Sequence, residues 1–429
     1  MARILTDSSI QNVFAWEVLD SRGQPTVSAE VRLRGGACGV AAVPSGTSKG
    51  RYEAAELRDN GLRYGGMGVA TAVRNANTTL REAVLGLNSH DQPQIDSALT
   101  QADGTPSLGR VGANAVLAVS LANLLASAAA QSRPVWSLGE GSRIGRYTLP
   151  VPLVNLVSGG AHADSYFDIQ DILAIPAAAR SFSEAAEICS RARKGTGEAA
   201  RARGLTKRLL AESGRLETTP LTNDDALRLA VEGIERAGLQ PGKEVVLGID
   251  VAASQLFQDG RYKLQHESCA LTSRQLMQRV THWTSEYPIA WVEDVLAEDE
   301  WDDWLSATNS MRNMHLVGDD LFATKTDRLR KGIELGIATG ALVKPNQCGT
   351  ITGTAEFVET ARTGNYTVTM SDRSGETDDS WLSDLSVFWK ADHLKLGSTM
   401  RSERTAKWNR LLEIEARLEG KAKFVGWRA

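Results

Sequence analysis

Three acidic residues, Asp250, Glu293 and Asp319, each stand at the end of a short apolar run, in VVLGID, PIAWVED and MHLVGDD, and a helix-like stretch follows each. The pattern continues with Lys344 after GALV, with Asp372, Arg373 and Ser374 after YTVTM, and with Lys395 after ADHL. The steps between these points are 43, 26, 25, 28 and 23 residues, and every step after the first is close to one strand-plus-helix unit. Repeated βα units close into a parallel barrel whose strand ends converge on one face, so the six points predict a single pocket. One acidic residue after a strand is often only the N-cap of the next helix. Three in successive units, with two lysines at equivalent ends, predict a site. Hard oxygen donors with no His or Cys at ligand spacing favour Mg²⁺ over Zn²⁺, and three carboxylates with two lysines predict a carbon acid as substrate.

At 429 residues the chain is long enough for two domains. A net charge of −4 without any long basic run excludes the usual nucleic-acid and membrane-surface proteins. The opening MARILTDSSIQNVFAW has no apolar core of the kind a signal peptide needs, and no run reaches the ~20 residues that span a bilayer, so the expected location is the cytoplasm. Four scattered cysteines, Cys38, Cys189, Cys269 and Cys348, form no CxxC pair and are expected to be reduced and buried.

Residues 10–45 read as a β meander, FAWEVLD, TVSAEVRL and CGVAAVP, separated by SRGQP and GG turns. From Glu53 to about Ala130 the pattern becomes helical, and after a linker at 141–150 strands and helices alternate to the end. The expected fold class is α/β. An α+β N-terminal capping domain, residues 1–141, precedes a modified (β/α)8 TIM-type barrel, residues 142–429.

Nine strings stand in order along the chain: DSRGQPTV at 20–27, PSGTSKG at 44–50, RYGGMGV at 63–69, GANAVLAVSLA at 112–122, IDVAAS at 249–254, VGDDLF at 317–322, KPNQCGT at 344–350, DRSGET at 372–377 and RSERTAKWN at 401–409. On these strings the chain resembles the enolase family over nearly its whole length. The resemblance implies a small N-terminal domain on a modified barrel, a homodimer, and Mg²⁺ in the barrel mouth. It makes Asp250, Glu293 and Asp319 the ligands of a first Mg²⁺, and Ser48, in a mobile loop, a ligand of a second that binds only with substrate. Lys344 becomes the base that takes the proton from carbon 2 of 2-phosphoglycerate, and Lys395 the lysine at the substrate carboxylate. Arg373 and Ser374 bind phosphate, His162 lines the pocket, and Glu212 helps expel hydroxide from carbon 3. Such a base must be neutral, and neighbouring cations are expected to lower Lys344 towards that form; lysine bases working with Mg²⁺ are usual in that superfamily.

Three departures fall together. Where the family has QEF, this chain has IQDIL, with Asp171 one methylene shorter than the catalytic Glu. GDEGG becomes LAESG, which keeps Glu212 but puts Ala211 and Ser213 beside it, and SHRSGE becomes SDRSGE, with Asp372 in place of a histidine. A carboxylate at 372 removes a donor and is expected to repel Glu212 and Asp171. A shortened acid also misplaces the proton a departing hydroxide needs, and ~1 Å of misplacement can cost on the order of 10²-fold in rate. In the loop, Lys49 follows Ser48 where the family usually has Thr; it reads either as a solvated lysine or as an added cation for a second phosphate or phosphonate.

The expectation is therefore a Mg²⁺-dependent enzyme on a phosphorylated three-carbon acid, specialised away from glycolysis. The best match is similarity to carboxyphosphonoenolpyruvate synthase of phosphonate antibiotic pathways, with a cytidine nucleotide as a partner molecule. A divergent phosphopyruvate hydratase is the alternative, and a non-catalytic binding relative the third reading.

Overall fold

The computed structural model describes residues 7–139, 147–162, 167–205 and 221–428. The meander forms as a three-stranded antiparallel sheet of β1 (Ile10–Leu19), β2 (Pro25–Leu33) and β3 (Cys38–Ala42), with β2 in the middle. Alternation places Val27, Ala29, Val31 and Leu33 of β2 in the core. Over the sheet lies α1 (Ala113–Ala130), ANAVLAVSLANLLASAAA. It is long and apolar enough to cross a membrane, yet 83 % of it is buried inside this fold, as befits a core helix. The approach of α1 to the sheet is closest at Gly39, where a Cβ would fall 2.2 Å from the Ala126 nitrogen, so the strand can cross there only as glycine. Cys38, next to it on the edge strand, is exposed. Burial was the sequence expectation for all four cysteines; Cys189 is buried, Cys269 and Cys348 are partly buried, and at Cys38 the outward face of the pleat overrides the usual preference of the residue type.

The barrel is closed by eight strands: β4 (Val151–Ser158), β5 (Asp171–Ile175), β6 (Val246–Asp250), β7 (Ile289–Glu293), β8 (His315–Gly318), β9 (Gly340–Val343), β10 (Thr367–Ser371) and β11 (His393–Lys395). Its interior is filled by Val151, Leu153, Leu173, Ile175, Val246, Trp291, Val317 and Leu342, and Phe424, Val425 and Trp427 of the C-terminal tail pack against that cluster.

Strands and helices do not alternate from the start. β5 runs antiparallel to both neighbours, and among the described residues the two elements that follow it are both helices, Phe182–Ala202 and Asn223–Arg236. The reversal matters for the site. A strand pointing the wrong way presents its first residue, not its last, at the functional face, and Asp171 accordingly pairs in register with Asp250, the last residue of β6.

Candidate active site

The strand-end residues converge as the spacing predicts. Asp250, Glu293 and Lys395 are the final residues of β6, β7 and β11, while Asp319, Lys344 and Asp372 each come directly after β8, β9 and β10. A cavity at this face is lined by Ser48, His162, Asp171, Asp250, Lys344, Arg373, Ser374 and Lys395, together with Gln170, Ser371 and Asp372. Its open space is about 20 Å³, room for about one water. A larger space of about 150 Å³ lies beyond Gln170, bounded also by Gly160, Val251, Gln255 and Lys263.

The carboxylates and lysines are interleaved. Lys395 Nζ donates to Asp250 Oδ2 at 2.9 Å and to Glu293 Oε2 at 2.8 Å, and Lys344 Nζ donates to Asp319 Oδ2. Burial alone would lower both lysines, but the carboxylates outweigh it: Asp319 raises Lys344, and Asp250 and Glu293 raise Lys395 well above the ordinary lysine value. Burial and the Asp250 charge hold Glu293 well above the usual carboxylate range, against the pull of Lys395. Asp319 is buried too, yet Lys344 carries it below that range. The sequence reading expected neighbouring cations to lower Lys344. With its ammonium on Asp319, the nearest partner works the other way.

The donor set suits a hard divalent cation. Asp250, Glu293 and Asp319 are buried carboxylates brought to one end of the barrel, and Glu293 Oε1 has no hydrogen-bond partner among the described residues. The Lys395 ammonium already bridges two of the three, as a cation would. A second acidic group, Asp294, Asp319 and Asp320, brings its oxygens within 4.8 Å of one another. In that group Asp294 is committed elsewhere, because it accepts the backbone N–H of Asp319 at 2.9 Å and of Asp320 at 2.7 Å. With its own backbone at φ +44°, Asp294 anchors the turn that carries Asp319.

Arg373 and Ser374, expected from sequence to bind phosphate, lie in the loop after β10. Ser374 Oγ accepts the Thr47 N–H at 2.7 Å and donates to Thr47 Oγ1 at 3.0 Å, which ties it to the PSGTSKG loop. Arg373 is held by Glu53 and Asn346 and by the Ser48 carbonyl. On the wall expected from sequence to depart from the family pattern, Asp171 accepts from Ser158 Oγ and lies 3.2 Å from His162 Nδ1. Asp372 accepts from Arg404, whose fully buried guanidinium also donates to the carbonyls of Arg373 and Ser374, both at 2.8 Å. The sequence reading expected Asp372 to repel its acidic neighbours; among the described residues its carboxylate pairs with Arg404, a counter-charge that reading did not assign. Glu212, with Ala211 and Ser213, lies outside the described residues. Lys49 lies away from the cavity lining and is half-exposed, its Nζ 2.6 Å from Glu56 Oε2.

Several contributors were missed from sequence. Gln170 donates to Asp250 Oδ2 at 3.0 Å, and Gln347, fully buried, donates to Asp319 Oδ1 at 2.9 Å. Like Asp294, each lies within three residues of a strand-end residue, and that adjacency was the available signal. Glu53 and Arg404 carried none.

Two family models cover the chain. Enolase, N-terminal domain, matches residues 10–138, and Enolase, C-terminal TIM barrel domain, matches residues 146–429. With both halves matched in order and the strand-end carboxylates and lysines gathered at one barrel mouth, the chain belongs to the enolase family.

Proposed function

We propose that this protein is a Mg²⁺-dependent enzyme that forms an enolate from a phosphorylated three-carbon acid, and that its reaction is specialised away from dehydration of 2-phosphoglycerate, in the manner of a carboxyphosphonoenolpyruvate synthase. The observation that carries the specialised reading is the Asp372–Arg404 pair. A carboxylate fixed by a buried guanidinium is a poor proton donor to a departing hydroxide, because the pair stabilises its charged form.

In this reading Arg373 and Ser374 orient the phosphate and Lys395 faces the carboxylate. Lys344 accepts the proton of carbon 2, a transfer that requires its neutral form and hence release from Asp319. Mg²⁺ held by Asp250, Glu293 and Asp319, with a second ion completed by Ser48 only when ligand is present, would supply positive charge opposite the substrate carboxylate. The space of about 150 Å³ lined by Gln170 adjoins the cavity at that residue, and a second substrate would approach the first from that side in this reading. The divergent hydratase is the second reading, favoured by the complete enolate-forming half. A homodimer in the cytoplasm completes the proposal.

The deciding assay supplies Mg²⁺ and 2-phosphoglycerate and follows phosphoenolpyruvate. Formation should be far slower than for an ordinary enolase, and joint restoration of Glu, Asp and His at Asp171, Ala211 and Asp372 should raise it, because groups acting as one unit are non-additive singly. A nucleotide-activated phosphonoformate offered with a phosphorylated three-carbon acid should release its nucleotide only with Mg²⁺ and Lys344 both present. A normal enolase rate in the unmodified protein would replace this proposal with the hydratase.

A further inference from the structure

The Arg373 guanidinium already holds an anion. Its Nη1 donates to Glu53 Oε2 at 2.9 Å and to Asn346 Oδ1 at 2.9 Å, while its Nη2 donates to Glu53 Oε1 at 3.1 Å and to the Ser48 carbonyl at 2.8 Å. These four bonds use all four terminal N–H groups, and the grip on Glu53 is the two-point fork that a phosphate would itself require. Both side chains are almost wholly buried, with 4 % of Arg373 and 8 % of Glu53 exposed. Glu53 also accepts the Gly50 N–H at 2.9 Å, so one carboxylate joins the Arg373 fork to the loop that carries Ser48.

We propose that Glu53 is an internal competitor for the phosphate subsite: it occupies the Arg373 fork when no ligand is bound, and a substrate phosphate must displace it to gain a two-point hold. Carboxylate and phosphate cannot share the fork at hydrogen-bond distance without like-charge repulsion in a buried setting. The consequence is selectivity and coupling together. Only an anion able to outbid a monovalent carboxylate on both nitrogens enters, which favours a phosphate dianion over a simple carboxylic acid. Its entry removes the acceptor of the Gly50 N–H, and so changes the tether of the segment between Ser48 and Glu53 at the moment of binding. Mass action gives the sign: a competitor tied to the protein lowers the apparent affinity of every ligand that needs the same fork.

The inference rests on reading Arg373 as the anion end, and the test separates the two. Inorganic phosphate is titrated by calorimetry, without metal, into the unmodified protein and into Glu53→Gln and Arg373→Gln, each first checked for an unchanged circular dichroism spectrum. Glu53→Gln keeps the shape and an acceptor oxygen but loses the charge, and should bind phosphate on the order of 10-fold more tightly, since competition is weakened. Arg373→Gln should lose binding. Unchanged or weaker binding in Glu53→Gln overturns the competitor. Equal binding in Arg373→Gln and the unmodified protein, or no binding in any of the three, overturns the anion-end reading instead. Hydrogen exchange on the unmodified protein is the second measurement: saturating phosphate should speed exchange at the Gly50 amide, and protection there would contradict displacement.

Discussion

Removal of Arg404 tests the wall of the site most directly. Its guanidinium is fully buried, pairs with Asp372, lies 3.6 Å from Glu403 Oε1, and donates to the Arg373 and Ser374 carbonyls at 2.8 Å. Arg404→Met keeps most of the volume and removes every donor. Breaking a buried ion pair by deleting one partner costs about 3–5 kcal/mol, because the remaining charge is stranded. Two carbonyls deprived of charged donors push towards the upper end of that range, and protonation of Asp372 caps the total. Urea unfolding at pH 7, followed by tryptophan fluorescence and compared at equal m-value, reads the loss. The pair itself is isolated by a double-mutant cycle with Asp372→Asn, in which a coupling of roughly 0.5–3 kcal/mol is expected for groups in direct contact. A loss below about 1 kcal/mol for Arg404→Met, or the same cost for Asp372→Asn with and without Arg404, would refute the claim that this pair holds the wall.

Three further outcomes are expected. Joint replacement of Asp250 by Asn and Glu293 by Gln should abolish calorimetric Mg²⁺ binding, and retained high-affinity binding would move the metal elsewhere. Lys344→Ala should abolish exchange of the carbon 2 proton with deuterated solvent in the presence of Mg²⁺ while phospho-acid binding survives, and undiminished exchange would identify another base. His393 is buried at the other end of the barrel, near Thr369, His315 and Trp427, and burial, helped by His315, holds its imidazole down at about 3. The unfolded chain takes up that proton below pH ~6.5 and the folded chain does not, so stability should fall as pH drops from ~6.5 towards 3, by up to about 1.4 kcal/mol per unit. Over pH 4–6, His393→Gln should flatten that slope, and an unchanged slope would count against the assignment.

How much of this was legible in sequence depends on what each residue needed to reveal itself. Asp250, Glu293, Asp319, Lys344 and Lys395 were readable because a short apolar run fixes where a strand ends, and equal spacing fixes that the ends share a face. The direction of β5 was not readable, since DILAI is a fully buried run that looks the same in a parallel and an antiparallel neighbour. Arg404 was hidden for a different reason. In RSERTAKWN it follows Glu403 in a charged first turn and reads as solvent-facing, and only the packing of helix Ser402–Leu418 against the loop after β10 shows it to be buried. Glu53 lies in a stretch without periodicity, and its partner is 320 residues away.

The same packing explains how one half of the site could change while the other stayed intact. Asp372 sits between Ser371, the last residue of β10, and the Arg373–Ser374 pair proposed to hold phosphate, so a charge at 372 would ordinarily disturb its neighbours. Arg404 prevents that by meeting three demands with one guanidinium: it neutralises the Asp372 carboxylate and supports the two carbonyls that follow. The backbone at Arg373 and Ser374 is thereby supported from outside the cavity by the same group that holds the 372 side chain. A wall altered at Asp372 and Asp171 can then coexist with retained Arg373, Ser374, Lys344 and Lys395. Such an arrangement is what a change of leaving group, with proton abstraction kept, would require.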